Sequence, residues 1–298
     1  MRDAAVADTQ IAEFIERHAL PASFRDTIEA HYLPLARWVV ERRTESRCFL
    51  LGVNGGQGSG KSTLADFLRV VLETAEGWRV AVLSIDDFYL TRAERERLAA
   101  GVHPLLMTRG VPGTHDVGML EETLSRLDGL GRGDALPLPR FDKSIDERAD
   151  PSRWPVVRGP IDLIVLEGWC VGTRPEPVAS LEPALNALER EHDPGGHWRR
   201  YVNERLAVDY AGPFSLLDAL VFLAVPGFDA VLRWRIEQEQ KLAARADSGA
   251  RIMDDAEIAG FIQHYERLTR ANLATLPDVA DVVITLDDKH RGVESRYR

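Results

Sequence analysis

Cysteine is almost missing from this chain: Cys48 and Cys170 are the only two in 298 residues, which excludes a disulfide framework. Net positive charge is missing too. Asp and Glu number 47 against 37 Lys and Arg, a formal charge of -10, which excludes the basic surface a general nucleic-acid binder needs. No apolar run reaches the roughly 18 residues of a membrane span. The opening MRDAAVADTQ has no apolar h-region, so no secretory signal is expected and a cytoplasmic protein is the default. Repeats and low-complexity tails are likewise lacking.

Present instead are short, nearly continuous apolar runs of strand length: 48–53, 80–83, 161–166, 219–225 and 282–284. Strands apolar on both faces belong to a parallel sheet covered by helices, and helical stretches separate most of them. Leu64, Phe67, Leu68, Val71 and Leu72 repeat at helical spacing, as do Ile258, Phe261, Tyr265 and Leu268. At the N-terminus Ile11, Phe14 and Ile15 share one helix face. Phe24, Ile28, Leu35 and Trp38 share another, with a kink expected at Pro34. These elements predict an α/β fold with a mainly parallel five-stranded sheet. Residues 1–44 form an N-terminal helical extension and 45–298 one nucleotide-binding domain. The stretch between the second and third strands, rich in Gly, Pro and Arg, is too long for a plain connection and is a candidate substrate-binding region. Residues 183–212, with His192, His197 and Trp198, either line the acceptor pocket or form a peripheral helical insertion, the second reading being favoured.

Between the first apolar run and the first helical pattern lies Gly55-Gly-Gln-Gly-Ser-Gly-Lys-Ser62, followed by Thr63. It fits G-x-x-x-x-G-K-S/T. Glycines let the backbone curl into a nest of inward N–H groups, and the helix that follows adds its positive end. Gly55, Gly56, Gln57, Gly58, Ser59, Gly60, Lys61, Ser62 and Thr63 are therefore the expected phosphate cradle. Lys61 reaches the β- and γ-phosphates of a nucleotide, and Ser62 is placed to ligate magnesium.

Ser84-Ile-Asp-Asp-Phe-Tyr89 follows the second strand. With the glycine loop before it, this stretch resembles the phosphoribulokinase and uridine kinase superfamily of P-loop kinases. The resemblance implies that Asp86 faces the acceptor hydroxyl and takes its proton, and that Tyr89 lies beside the acceptor. Asp87 is an equal candidate, because sequence does not separate two adjacent acids. Asp162-Leu-Ile-Val-Leu-Glu167-Gly-Trp169 resembles the acidic strand end of the same superfamily and implies that Glu167 helps hold Mg2+; Asp162, at the other strand end, is structural. Arg109-Gly-Val-Pro-Gly-Thr-His-Asp116, Pro139-Arg-Phe-Asp-Lys-Ser144, Glu167-Gly-Trp169 and Trp234-Arg-Ile-Glu-Gln-Glu239 together resemble the D-glycerate 3-kinase branch. That branch implies ATP, Mg2+ and a small hydroxy acid as acceptor. Arg109, His115, Arg140 and Lys143 are available to meet a carboxylate, with His115 and Asp116 also readable as a helix-capping pair. Related kinases supply an arginine such as Arg235 to the migrating phosphoryl group. Arg245 and Arg251 flank a stretch that reads as a lid.

Alternatives stay open. A nucleoside or pantothenate-like acceptor fits the same superfamily, although aromatic residues for stacking a base are few in the insertion. An ATP-binding regulator without a small acceptor is the reading from another class. A guanine-specific switch is disfavoured by the lack of an N-K-x-D loop.

Overall fold

A computed structural model of the chain describes residues 8–44, 47–243 and 253–298. Its centre is a six-stranded sheet made of β1 (Phe49–Gly55), β2 (Val80–Ser84), β3 (Leu163–Gly168), β4 (Ala219–Ala224), β5 (Val282–Leu286) and β6 (Gly292–Tyr297). The strand order is β6-β5-β4-β1-β3-β2. Every pairing is parallel except β5 with β6. All residues of β1, β3 and β4 are buried, as continuous apolar strands require. The sequence expectation of five strands omits β6, whose GVESRY sequence has only exposed and half-buried positions and a register shift between Gly292 and Glu294. An edge strand with one wetted face carries too few apolar residues to stand out.

The register sets the geometry of the site. Glu167 of β3 lies beside Val53 of β1 on one side and Ser84 of β2 on the other. The C-terminal ends of these three strands are therefore level, at the sheet edge where open α/β folds bind ligands.

Helix α1 (Asp8–Arg17) buries Ile11 and Phe14. Helix α2 (Leu33–Arg42) buries Leu35, Ala36 and Val39. The kink expected at Pro34 takes the form of a π-helical turn, Ile28–Tyr32, just before α2. Proline has no N–H and collides with the carbonyl four residues back, and the wider turn relieves both. Helix α3 (Lys61–Glu76) starts in the glycine loop and buries Leu64, Phe67, Leu68, Val71 and Leu72. Phe14 meets Phe67 edge-on at 5.3 Å and Tyr32 meets it at 5.5 Å, so the N-terminal helices join the main core.

The long connection between β2 and β3 holds helices α4 (Arg92–Gly101) and α5 (Val117–Asp128), a short antiparallel pair of 135–137 with 156–158, and a small hairpin nested between those two segments. In that hairpin, Phe141–Asp142 pairs with Glu147–Arg148. Asp116 caps α5 by accepting the Met119 N–H, so the capping reading holds for Asp116. Residues 183–212 are largely helical, with α6 (His197–Val208) the longest piece. Helix α7 (Phe228–Ala243) follows β4, and helix α8 (Asp255–Thr275) precedes β5. Among the described residues, no helix is long and apolar enough to cross a membrane.

Candidate active site

The glycine loop joins β1 to α3 as a tight coil. Gly58 and Gly60 have φ of +78° and +86°, a region closed to most side chains. A Cβ at Gly55 would lie 2.6 Å from Ser59 Oγ, and one at Gly56 would lie 2.8 Å from Val231. Sterics therefore demand glycine here on two counts, backbone angle and crowding. Thr63 sits in the first turn of α3, behind Lys61 and Ser62. Lys61 Nζ donates to the Gly56 carbonyl at 3.1 Å, folded back over its own loop. Burial lowers the Lys61 pKa, with Glu167 and Asp86 pulling it back toward its ordinary value.

A cavity of about 640 Å³ opens beside this loop. Gln57, Gly58, Lys61, Ser62, Asp86, Asp87, Tyr89, Arg109, Lys143, Glu167 and Arg235 all line it. The fold thus gathers residues from the glycine loop, the end of β2, the long connection, the end of β3 and α7. Ser62 Oγ donates to Glu167 Oε1 at 2.8 Å. A hydroxyl and a carboxylate side by side are hard oxygen donors of the kind that suit Mg2+ shared with phosphate oxygens. Among the described residues there is no cluster of three His, Cys, Asp or Glu that could hold a metal unaided.

The two adjacent acids lie in different surroundings. Tyr89 donates its hydroxyl to Asp86 Oδ1 at 2.6 Å, and Lys143 donates its ammonium to Asp86 Oδ2 at 2.6 Å. Burial acts to raise the Asp86 pKa, but Lys143 and Tyr89 outweigh it and hold the carboxyl below its ordinary value. Asp87 accepts from Arg140 at 3.1 Å and from the Phe141 N–H at 3.2 Å. For Asp87 burial wins, and its pKa is raised.

Two of the expected acceptor ligands stand back from the cavity lining. Arg140 is engaged with Asp87. His115 is 5% exposed and stacks behind Tyr89 at 4.8 Å. Gly113 N–H donates to the Tyr210 oxygen at 3.0 Å, and the Tyr210 hydroxyl lies 2.6 Å from His115 Nδ1. Burial pushes the His115 pKa down to about 4, so the ring is neutral and is no carboxylate-binding cation at pH 7. Its place is structural support for Tyr89.

Arg109 pairs with Asp146, which also takes Arg95 at 2.8 Å. Arg235 pairs with the buried Glu239 at 2.6 Å, and Glu239 also accepts the Met253 N–H. Arg245, Arg251 and the intervening lid reading lie outside the described residues. Asp162, at the far end of β3, binds the Arg79 N–H at 2.8 Å and Arg43 at 2.6 Å, a purely structural role.

Sequence reasoning did not assign Phe261, Tyr265 or Glu239 to the site, yet all three line it. Tyr265 reads as part of the apolar stripe of α8. Its hydroxyl donates to the Arg109 carbonyl at 3.0 Å, and Trp169 Nε1–H donates to the Gly110 carbonyl at 2.9 Å. A tyrosine in an aliphatic stripe carries a hydroxyl that must find a partner, and that was the available signal.

No family model matches the chain. It is 37% identical over 230 residues to an uncharacterized kinase of Schizosaccharomyces pombe, covering 75% of this chain and 80% of that one. It is 34% identical over 238 residues to the chloroplastic D-glycerate 3-kinase of Arabidopsis thaliana, covering 76% of this chain but 48% of the plant protein. Among solved structures, a D-glycerate 3-kinase from Cryptococcus neoformans superposes with a TM-score of 0.74 at 25% identity, over 90% of this chain and 99% of that one. A phosphate cradle leading straight into an acid-lined cavity, carried on a sheet and sequence shared with these kinases, leaves one conclusion: the chain belongs to the P-loop kinases of the uridine kinase/phosphoribulokinase superfamily, is similar to the D-glycerate 3-kinases within it, and is an ATP-dependent phosphotransferase.

Proposed function

We propose that the chain transfers the γ-phosphoryl group of ATP to a hydroxyl of a small hydroxy acid, D-glycerate being the first candidate. One observation carries the reading: three cationic side chains, Arg109, Lys143 and Arg235, line the same cavity as Asp86 and the phosphate loop. Each already faces an acid, Arg109 with Asp146, Lys143 with Asp86 and Arg235 with Glu239, so a carboxylate on the acceptor competes for these cations, and a hydroxyl on the same small molecule then falls near Asp86. Trp169 and Tyr265 also line the cavity, but they are 4% and 5% exposed and cross each other edge-on at 4.8 Å. They make a wall rather than an open platform for a nucleoside base.

In this mechanism the loop N–H groups between Gly55 and Ser62, with Lys61, hold the β- and γ-phosphates. Ser62 and Glu167 would hold Mg2+, which would supply charge to offset the phosphates. The acceptor oxygen forms a bond to the γ-phosphorus while the bond from that phosphorus to the β–γ bridging oxygen breaks. Asp86 receives the hydroxyl proton, and ADP leaves. Arg235 faces the migrating group. The transition state of such transfers is loose, so positioning and charge neutralisation do most of the work, and removal of Lys61 costs about a hundredfold to a thousandfold in kcat by analogy with losing one preorganised donor.

An ADP-release assay over a panel of acceptors tests the reading. D-glycerate or a close hydroxy acid is expected to stimulate turnover, and nucleosides are not. Stimulation by pantothenate or a nucleoside alone would reassign the acceptor. Turnover indifferent to every acceptor would favour a regulatory ATP-binding role.

A further inference from the structure

The two oxygens of Asp86 are held by very different groups. Oδ1 accepts from Tyr89, a ring that is 3% exposed and backed by His115. Oδ2 accepts from Lys143, whose side chain is 57% exposed. Lys143 stands in the four-residue turn 143–146 between the two short strands of the hairpin. That hairpin is tied at its turn and at both strands. Arg95, with 2% of its side chain exposed, donates to the Asp146 carbonyl at 3.2 Å and pairs with its carboxylate. Phe141 N–H donates to Asp87, and Arg148 reaches Asp116 at 3.1 Å. The lysine is thus an exposed ammonium on a hairpin held at several points.

An oxygen that already accepts from an ammonium 2.6 Å away is poorly placed to take a proton from an attacking hydroxyl. A carboxylate oxygen can accept twice, but an ammonium bound to it makes it a weaker base toward that second hydrogen. A water molecule has no charge with which to draw the ammonium off. A carboxylate does, and Arg109 lines the same cavity to share it.

We infer that Lys143 caps Asp86 while the acceptor site lacks an acid, and that the carboxylate of a bound acceptor pulls the ammonium away and exposes the base. Lys143 is then a specificity-determining residue acting through Asp86. It rejects neutral alcohols and suppresses ATP hydrolysis by the same contact. The inference rests on the hydroxy-acid reading above. In the hydrolysis it suppresses, a water oxygen bonds to the γ-phosphorus, the bond to the β–γ bridging oxygen breaks, and Asp86 takes the proton, leaving ADP and phosphate.

The test uses the full chain with Mg-ATP, as wild type, Lys143→Met and Lys143→Arg. Acceptor-free hydrolysis is expected to rise about tenfold in Lys143→Met, part of the hundredfold or more that a positioned base supplies. Adding Asp86→Asn to Lys143→Met is expected to abolish that rise. Propionate, an acid with no hydroxyl to phosphorylate, is expected to stimulate hydrolysis several-fold in the wild type and not in Lys143→Met, by exposing the same base. The preference for D-glycerate over glycerol is expected to fall at least about tenfold in Lys143→Met and to be largely restored in Lys143→Arg, which keeps the charge. Thermal unfolding controls for folding. Unchanged hydrolysis in Lys143→Met together with an inert propionate would overturn capping and leave Lys143 a plain binding residue. Should the wild type phosphorylate no hydroxy acid, the acceptor reading fails separately, and the hydrolysis and propionate measurements still decide whether Lys143 caps Asp86.

Discussion

At the scale of single residues, Asp86 and Asp87 differ through partners far along the chain. Lys143, 57 residues from Asp86, and Arg140, 53 residues from Asp87, set their surroundings. No local pattern separates the two acids, whereas Lys61, Ser62 and Glu167 were legible because loop spacing and a strand end fix their places directly. The environments predict opposite kinetic outcomes. Asp86→Asn is expected to lower kcat about a hundredfold, the lower end for a general base, with the KM for ATP little changed. Asp87→Asn is expected to keep kcat within about tenfold, above that lower end for base loss, and to raise the KM for the acceptor, because it frees Arg140 and the hairpin strand at Phe141. The pH profile of kcat/KM gives an independent check, since it reports groups of the free enzyme. With Asp86 as base the acid limb falls below the ordinary Asp value of about 3.9, and with Asp87 it falls above. A limb above that value, together with the larger kcat loss in Asp87→Asn, would move the base.

At the scale of elements, legibility followed how strongly each element depends on the core. The five parallel strands β1 to β5 and the apolar faces of α3 and α8 could be read from their apolar patterns alone. The antiparallel edge strand β6 could not, nor could the hairpin carrying Lys143, whose strands are two residues each. Such short pieces are held by side-chain ties such as Arg95 rather than by their own pattern. The glycine loop lies at the other extreme, where the motif states the geometry. Gly58 and Gly77 make a paired test. Both are left-handed, at +78° and +67°, but a Cβ at Gly58 lies 2.8 Å from Trp234 Cβ while one at Gly77 meets nothing within 4 Å. Each alanine carries about 1–2 kcal/mol of backbone strain. Gly77→Ala is expected to lose that stability with Mg-ATP affinity unchanged. Gly58→Ala is expected to weaken Mg-ATP binding at least about tenfold as well, since about 1.4 kcal/mol of distortion at the cradle is a factor of ten. Calorimetric titration of both variants decides, and equal affinity losses would show that the crowding against Trp234 is unimportant.

At the scale of the whole molecule, one buried ring ties the acceptor side of the cavity to the helical stretch beyond β3. His115 stacks on Tyr89, pairs with it in an isolated backbone bridge, and meets Tyr210 across 95 residues of chain. Neither its burial nor that partner was visible in the sequence, where it stood beside Arg109 as a possible carboxylate ligand. The Tyr210 oxygen accepts from Gly113 N–H and shares a second hydrogen bond with His115 Nδ1, while His115 Nε2 is buried with no hydrogen-bond partner. Burial lowers the folded-state pKa from 6.5 to about 4. The sign follows directly. Between these values the unfolded chain binds a proton that the folded chain refuses, so stability rises with pH across that window. The contribution is complete above pH 6.5, falls as pH drops below it, and levels off below about 4. Its full size is about 3 kcal/mol at 1.36 kcal/mol per pKa unit. Urea unfolding at a series of pH values is expected to show this slope in the wild type and to lose it in His115→Gln, whatever that variant costs in absolute stability. Equal slopes in the two proteins would mean that another group carries the pH dependence and that His115 titrates normally in the fold.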